Sequence, residues 1–138
     1  KRFIPRDPAK RAECMNWVFW QVGGQGPMTG NYGHFMVYAP ATAVKARSYG
    51  VARYGMEVQR LCSVLDLHLQ RPGNKFICGD EYTIADMMIL PWFQQLRNPK
   101  GYKHSSGIGA RDFLEVEQYK ACARWADMLM ARKQVQRG

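Results

Sequence analysis

Apolar residues recur in steps of three and four along most of this chain, and that spacing predicts helices rather than strands. Asp7-Pro8 supplies a cap and a first-turn proline. Ala12, Met15, Phe19 and Val22 then follow at helical spacing, with Trp17, Val18 and Trp20 widening the stripe. The pattern predicts that this helix stops at Gly23-Gly24, and that residues 23–33, with six glycines or prolines, form a loop. A long helix is expected from Ala41 to about Gln70, carried by Val51, Tyr54, Val58, Leu61, Leu65 and Leu69 and closed by Arg71-Pro72-Gly73-Asn74. Residues 97–112 read as a second loop. A last helix from about Glu115 carries Val116, Tyr119, Ala123, Ala126 and Met130.

The segment 83–95 is the most informative. Thr83 can cap a helix, and Asp86 can reach back to the Thr83 amide to complete a capping box; Tyr82 and Met87 are spaced to form a hydrophobic staple. The helix that follows is apolar nearly all round, so it belongs at the centre of a core, with Pro91 expected to kink it. The fold class is therefore all-α, with four to six helices around one buried central helix.

Composition narrows the picture. The 138 residues are 46% hydrophobic, 12% aromatic and 22% charged, enough for a core and too apolar for a disordered chain. No run approaches the roughly 18 apolar residues of a membrane span. The chain opens on Lys1 and reads as a fragment, with residues 1–8 as a linker remnant and 9–138 as the helical domain. The net charge of +9 favours an anionic partner. Apart from the tail Arg132–Arg137 the basic residues are scattered, which argues against nucleic acid. Cys14, Cys62, Cys78 and Cys122 form no metal or disulfide spacing and read as buried thiols in a reducing, cytoplasmic setting. His68 and His104 have no metal-spaced companions, so no metal is expected.

Gly79-Asp80-x-x-Thr83-Ile84-Ala85-Asp86 resembles the signature that opens the buried sixth helix of glutathione transferase C-terminal domains. Phe3-Ile4-Pro5-x-Asp7-Pro8 with Arg11 is similar to the family's interdomain linker, and Trp125-Ala126 to the end of its last core helix. Trp17-Val18-Phe19-Trp20-Gln21, Gly33-His34-Phe35 and Arg53-Tyr54-x-x-Glu57-x-x-Arg60-Leu61 look like the nu-class, glutathione-dependent disulfide-bond oxidoreductases.

The resemblance implies a homodimeric parent that uses glutathione as cosubstrate, with no covalently bound cofactor, acting on a small electrophile or a disulfide. Catalytic groups would lie in a thioredoxin-like N-terminal domain, so this fragment is expected to be inactive alone. It also implies that Asn31, Tyr32, Gly33, His34, Phe35, Arg53 and Trp17 border the glutathione and substrate cleft. Spacing alone leaves alternatives: Arg53 as a solvated partner of Glu57, His34 as a packed loop residue, and Trp17, Trp20, Phe35 and Tyr38 as core. The rival function is a non-catalytic assembly domain, as found in translation elongation-factor subunits and aminoacyl-tRNA synthetases.

Overall fold

A computed structural model describes residues 3–104 and 107–136. Lys1 and Arg2 of the connector and Arg137 of the basic tail lie outside the described residues. The elements are α1 (Pro8–Trp20), a π-helical turn (Gln21–Gln25), α2 (Gly26–Gly33), a second π-helical turn (His34–Tyr38), α3 (Val44–Leu69), α4 (Ile84–Arg97), α5 (Ala110–Phe113), a 3₁₀ turn (Val116–Gln118), α6 (Lys120–Met130) and α7 (Lys133–Gln136). Among the described residues there is no strand, only isolated bridges pairing Phe76 with Gly79 and Cys78 with Glu81. The all-α expectation holds.

The glycine-rich stretch is not a loop. Trp20, Gln25 and Gly33 all have right-handed helical dihedrals, so the chain runs as one helix from Pro8 to Tyr38. Two facts explain the difference. Pro27 has no amide proton and would crowd the carbonyl four residues back. The π turn just before it widens the helix there, and the Gly26 amide donates to Gln21 O, five residues back. The glycines, in turn, make room for neighbours. A Cβ on Gly33 would run into the Tyr102 ring, and one on Gly26 would lie 2.8 Å from the Gln21 side-chain amide. Packing against other elements thus outweighs the helix-breaking tendency of glycine, about 1 kcal/mol per residue.

Asp7 caps α1 by accepting from Lys10 N at 2.9 Å. The long second helix appears as expected, as α3. The capping box is present: Ala85 N donates to Thr83 Oγ1 at 3.3 Å, and Thr83 N to Asp86 Oδ2 at 3.0 Å. Ile84 N, otherwise an orphan of the first turn, donates to Phe3 O at 3.0 Å, tying the N-terminal connector to α4. The Tyr82 ring meets Phe3 edge-on, tilts against Phe76 and lies under the Arg132 guanidinium at 4.3 Å; Met87 is half-buried.

α4 is the hub, burying Ala85, Asp86, Ile89, Leu90, Phe93 and Leu96 against α1, α6 and the turns beside them. Two expected boundaries shift. The last three residues of the expected second loop, with Phe113, form α5, and the last long helix begins at Lys120 rather than Glu115. Glu115 is left-handed (φ 50°), which breaks the helix there, yet Val116 and Tyr119 still reach the core from a 3₁₀ turn. Their apolar spacing mimics a helical turn. The true start of α6 is capped from another helix: Asp66 of α3 accepts from Cys122 N at 2.9 Å.

Candidate functional site

α1–α2 and α3 run antiparallel, which brings Trp17 against His68, Tyr32 against Gly55 and Phe35 against Tyr54. One side of this pair packs on α4 and α6. The opposite side of α3 is left bare and carries the large apolar side chains Tyr49, Met56 and Leu67; Phe19 and Val22 are exposed on α1 and its π turn. Tyr49 is 73% and Met56 69% exposed. A monomeric surface seldom concentrates such residues unless something covers them.

Arg53 projects from this outward face. Its guanidinium makes no hydrogen bond or ion pair among the described residues. Glu57, its sequence-stretch neighbour, pairs instead with Arg60 through two hydrogen bonds of 3.0 and 2.6 Å. The Arg60 hydrogen bond holds the Glu57 carboxyl below its usual range, with a smaller contribution from the Arg53 charge.

A separate apolar cleft of about 390 Å³ lies on the other side of α3, between the second π turn, α3, the loop before α5, and α5. Phe35, Met36, Val51, Ile108 and Phe113 form its walls, and Arg47 and His104 bring polarity. Phe35 stacks on Tyr54 with centroids 5.6 Å apart and lies over Gly50, which leaves no room for a Cβ. Arg47 donates to Phe35 O at 3.4 Å and Met36 O at 3.2 Å, so it satisfies carbonyls at the end of the π turn and fixes the wall. Sequence reasoning missed Arg47, Ile108 and Phe113. The only trace of the last two was an apolar residue inside the expected loop 97–112, Ile108, and one directly after it, Phe113.

The residues expected to form one site divide into three places. Phe35 lines the cleft and His34 meets it edge-on at 5.2 Å while remaining exposed. Asn31 is exposed and donates to Pro27 O at 2.8 Å. Tyr32 is fully buried between Tyr102 and Phe113, its hydroxyl without a partner, and burial pushes its phenol far above the usual range. Gly33 accommodates the Tyr102 ring. At about 100° per residue, Arg53 points roughly opposite Ser48 and Val51 of the cleft. Trp17 sits against His68 at 4.4 Å and Trp20 at 5.1 Å. His68 is about 22 Å along α3 from Arg53, twice the roughly 11 Å reach of an extended tripeptide.

All four cysteines are free and buried. Burial, the largest cause, pushes the Cys62 and Cys78 thiols up to about 12 and raises Cys122 further. Cys62, Cys78 and Cys122 are therefore not nucleophiles at neutral pH. Among the described residues no group of histidines, cysteines and carboxylates could hold a metal ion, and no helix is long and apolar enough to cross a membrane.

The chain and its fold have known relatives. Residues 48–127 match the family described as "Glutathione S-transferase, C-terminal domain". The chain is 43% identical to the disulfide-bond oxidoreductase YghU of Escherichia coli (strain K12) over 99% of its own length and 43% of that protein. It is 32% identical to YfcG of the same organism, over 94% of this chain and 52% of that protein. A glutathione transferase from Burkholderia graminis, solved with two glutathione molecules bound per subunit, superimposes with a TM-score of 0.84 at 34% identity, covering 99% of this chain and 52% of that one. The chain thus spans about half the length of the curated relatives it matches. With the family pattern matched over more than half of its residues, the chain belongs to the glutathione transferase C-terminal domain family.

Proposed function

We propose that this chain is the helical half of a glutathione-dependent transferase or disulfide reductase, and that its outward α1–α3 face completes the glutathione cleft. The observation that carries this reading is Arg53, an exposed guanidinium without an ion-pair partner among the described residues, set in a bare apolar face between Tyr49 and Met56. Such a group can grip a carboxylate of glutathione through two parallel hydrogen bonds. The relatives solved with glutathione bound support the choice of ligand.

In this proposal a thioredoxin-like domain supplies the other wall and activates the glutathione thiol. The thiolate attacks one sulfur of a disulfide, forming a mixed disulfide and expelling the second sulfur as thiolate. The four buried cysteines of this chain take no part. Phe35, with His34 exposed beside it, lines the apolar cleft across α3 and offers an acceptor wall apart from glutathione, while Trp17, at His68, lies beyond the reach of a tripeptide held at Arg53. The bare face extends about 27 Å from Tyr49 to Leu67, long enough to be shared between glutathione near Arg53 and a second copy of the chain near Leu67. The domain on its own is inactive, and the parent works in the cytoplasm.

The test is retention of the folded full-length protein on immobilised glutathione, with Arg53→Ala as comparison. Retention that weakens in the variant is expected. A folded full-length protein that passes straight through would overturn the reading.

A further inference from the structure

We infer that the groove between the C-terminal end of α3 and α6 is a second ligand site, built for the phosphoryl dianion of a small phosphoester. The groove, of about 460 Å³, is lined by Arg71, Lys75 and Arg124 at its rim, with Leu69, Trp125 and Met128 beneath. No carboxylate is among its lining residues. The side chains of Arg71 and Lys75 make no hydrogen bond or ion pair among the described residues; Lys75 only rests over the Phe76 ring at 5.5 Å. Three uncompensated cations converging on a concavity focus a positive potential there.

The negative end of α3 would ordinarily repel an anion at this place. Here its carbonyls are already engaged. Arg124 Nη2 donates to Leu69 O at 3.0 Å, Asn74 Nδ2 to His68 O at 2.9 Å, and Gln70 N to Asp66 O at 3.0 Å. Asp66 is buried, and both of its oxygens are already engaged, Oδ1 by Cys122 N and Oδ2 by Gln70 Nε2 of the rim. The bond to Leu69 O also holds the Arg124 guanidinium in place before any ligand arrives. The left-handed turn at Gly73 (φ +87°) brings Arg71 and Lys75 to the same rim. The free Arg71 fork, the remaining N–H groups of Arg124 and a lysine match a phosphate with two charges better than a single carboxylate. The site is about 27 Å along α3 from the cleft that Val51 lines, so it stands independently of the glutathione reading.

The experiment titrates pyrophosphate into the full-length protein, followed by calorimetry and by the arginine Nε–H resonances. One saturable site per chain is expected, weakening as salt rises. Arg71→Ala with Lys75→Ala should lower affinity at least about tenfold, since two charge-assisted bonds are lost. Lys45→Ala, at the far end of α3, should leave it unchanged. Unsaturable binding, or equal affinity in the double variant, overturns the proposal. So does tighter binding of a single-stranded oligonucleotide that Lys45→Ala weakens as much as the double variant does, because that is the general attraction of a chain carrying +9 charge.

Discussion

The Trp125 indole of α6 donates to Asp86 Oδ1 of α4 at 2.9 Å, and this bond joins the helix cap to the core. The same oxygen accepts from Ile77 N at 3.0 Å, while Oδ2 accepts from Thr83 N at 3.0 Å and Thr83 Oγ1 at 3.3 Å. Asp86 is fully buried and is surrounded by donors only. A residue that reads in the sequence as half of a local capping box therefore also fixes α6 and the loop before α4.

Asp86→Ala leaves the Ile77 and Thr83 amides and the Trp125 indole buried without acceptors. The expected loss is more than about 3 kcal/mol, since each stranded group costs about 1–3 kcal/mol. Thr83→Ala removes one cap bond and should cost about 1 kcal/mol. Asp86→Asn should not rescue fully, because its amide would place a donor against donors. Urea denaturation of the three variants ranks them. Equal losses for Asp86→Ala and Thr83→Ala would show that the carboxylate acts only on its own helix.

The glycines of the first long helix give a prediction of opposite signs. A Cβ on Gly23 meets nothing within 4 Å, and its backbone is helical. Gly23→Ala should therefore stabilise by about 0.5–1 kcal/mol through the unfolded chain. Gly33→Ala forces the Tyr102 ring aside and should destabilise by about 1–3 kcal/mol. Thermal unfolding of both decides it: two changes of the same sign would mean that Gly33 is not held by Tyr102.

These glycines also mark where the sequence was legible and where it was not. α3 and α4 could be read because Val58, Leu61 and Leu65, or Thr83 with Asp86, act through neighbours three and four residues away. The role of Gly33 depends on Tyr102, far along the chain, and the start of α6 depends on Asp66 from another helix. No local window contains either partner. The same holds for the candidate site. Arg53 and Phe35 were visible as residue types, but their placement on different sides of α3 follows from how the helix is rotated against α2.

The cysteines make a pH prediction. Folded Cys62 and Cys78 titrate near 12, against about 9 for an ordinary thiol. The folded state therefore holds these protons more tightly than the unfolded state. Their contribution to stability is complete below about 9 and is lost as pH rises from there toward 12. Unfolding midpoints should fall steeply across that window, and Ellman's reagent at pH 8 should find no accessible thiol until denaturant is added. Rapid labelling of the native chain would contradict the buried placement.

Arg53 separates binding from folding. It has no hydrogen-bond or ion-pair partner among the described residues, so Arg53→Ala should leave the thermal midpoint unchanged. The Glu57–Arg60 pair stays intact in that variant. It is exposed on the arginine side, so it is worth less than about 0.5 kcal/mol. That small contribution is present above the ordinary carboxyl range and is lost as pH falls through the lowered Glu57 value. Under the proposed function, Arg53→Ala in the full-length protein should raise KM for glutathione about tenfold, the value of one charge-assisted contact, with kcat little changed. Arg53→Lys should recover part of this, because it keeps the charge without the fork. A fall in thermal midpoint with an unchanged KM would assign Arg53 to the fold and remove it from the ligand face.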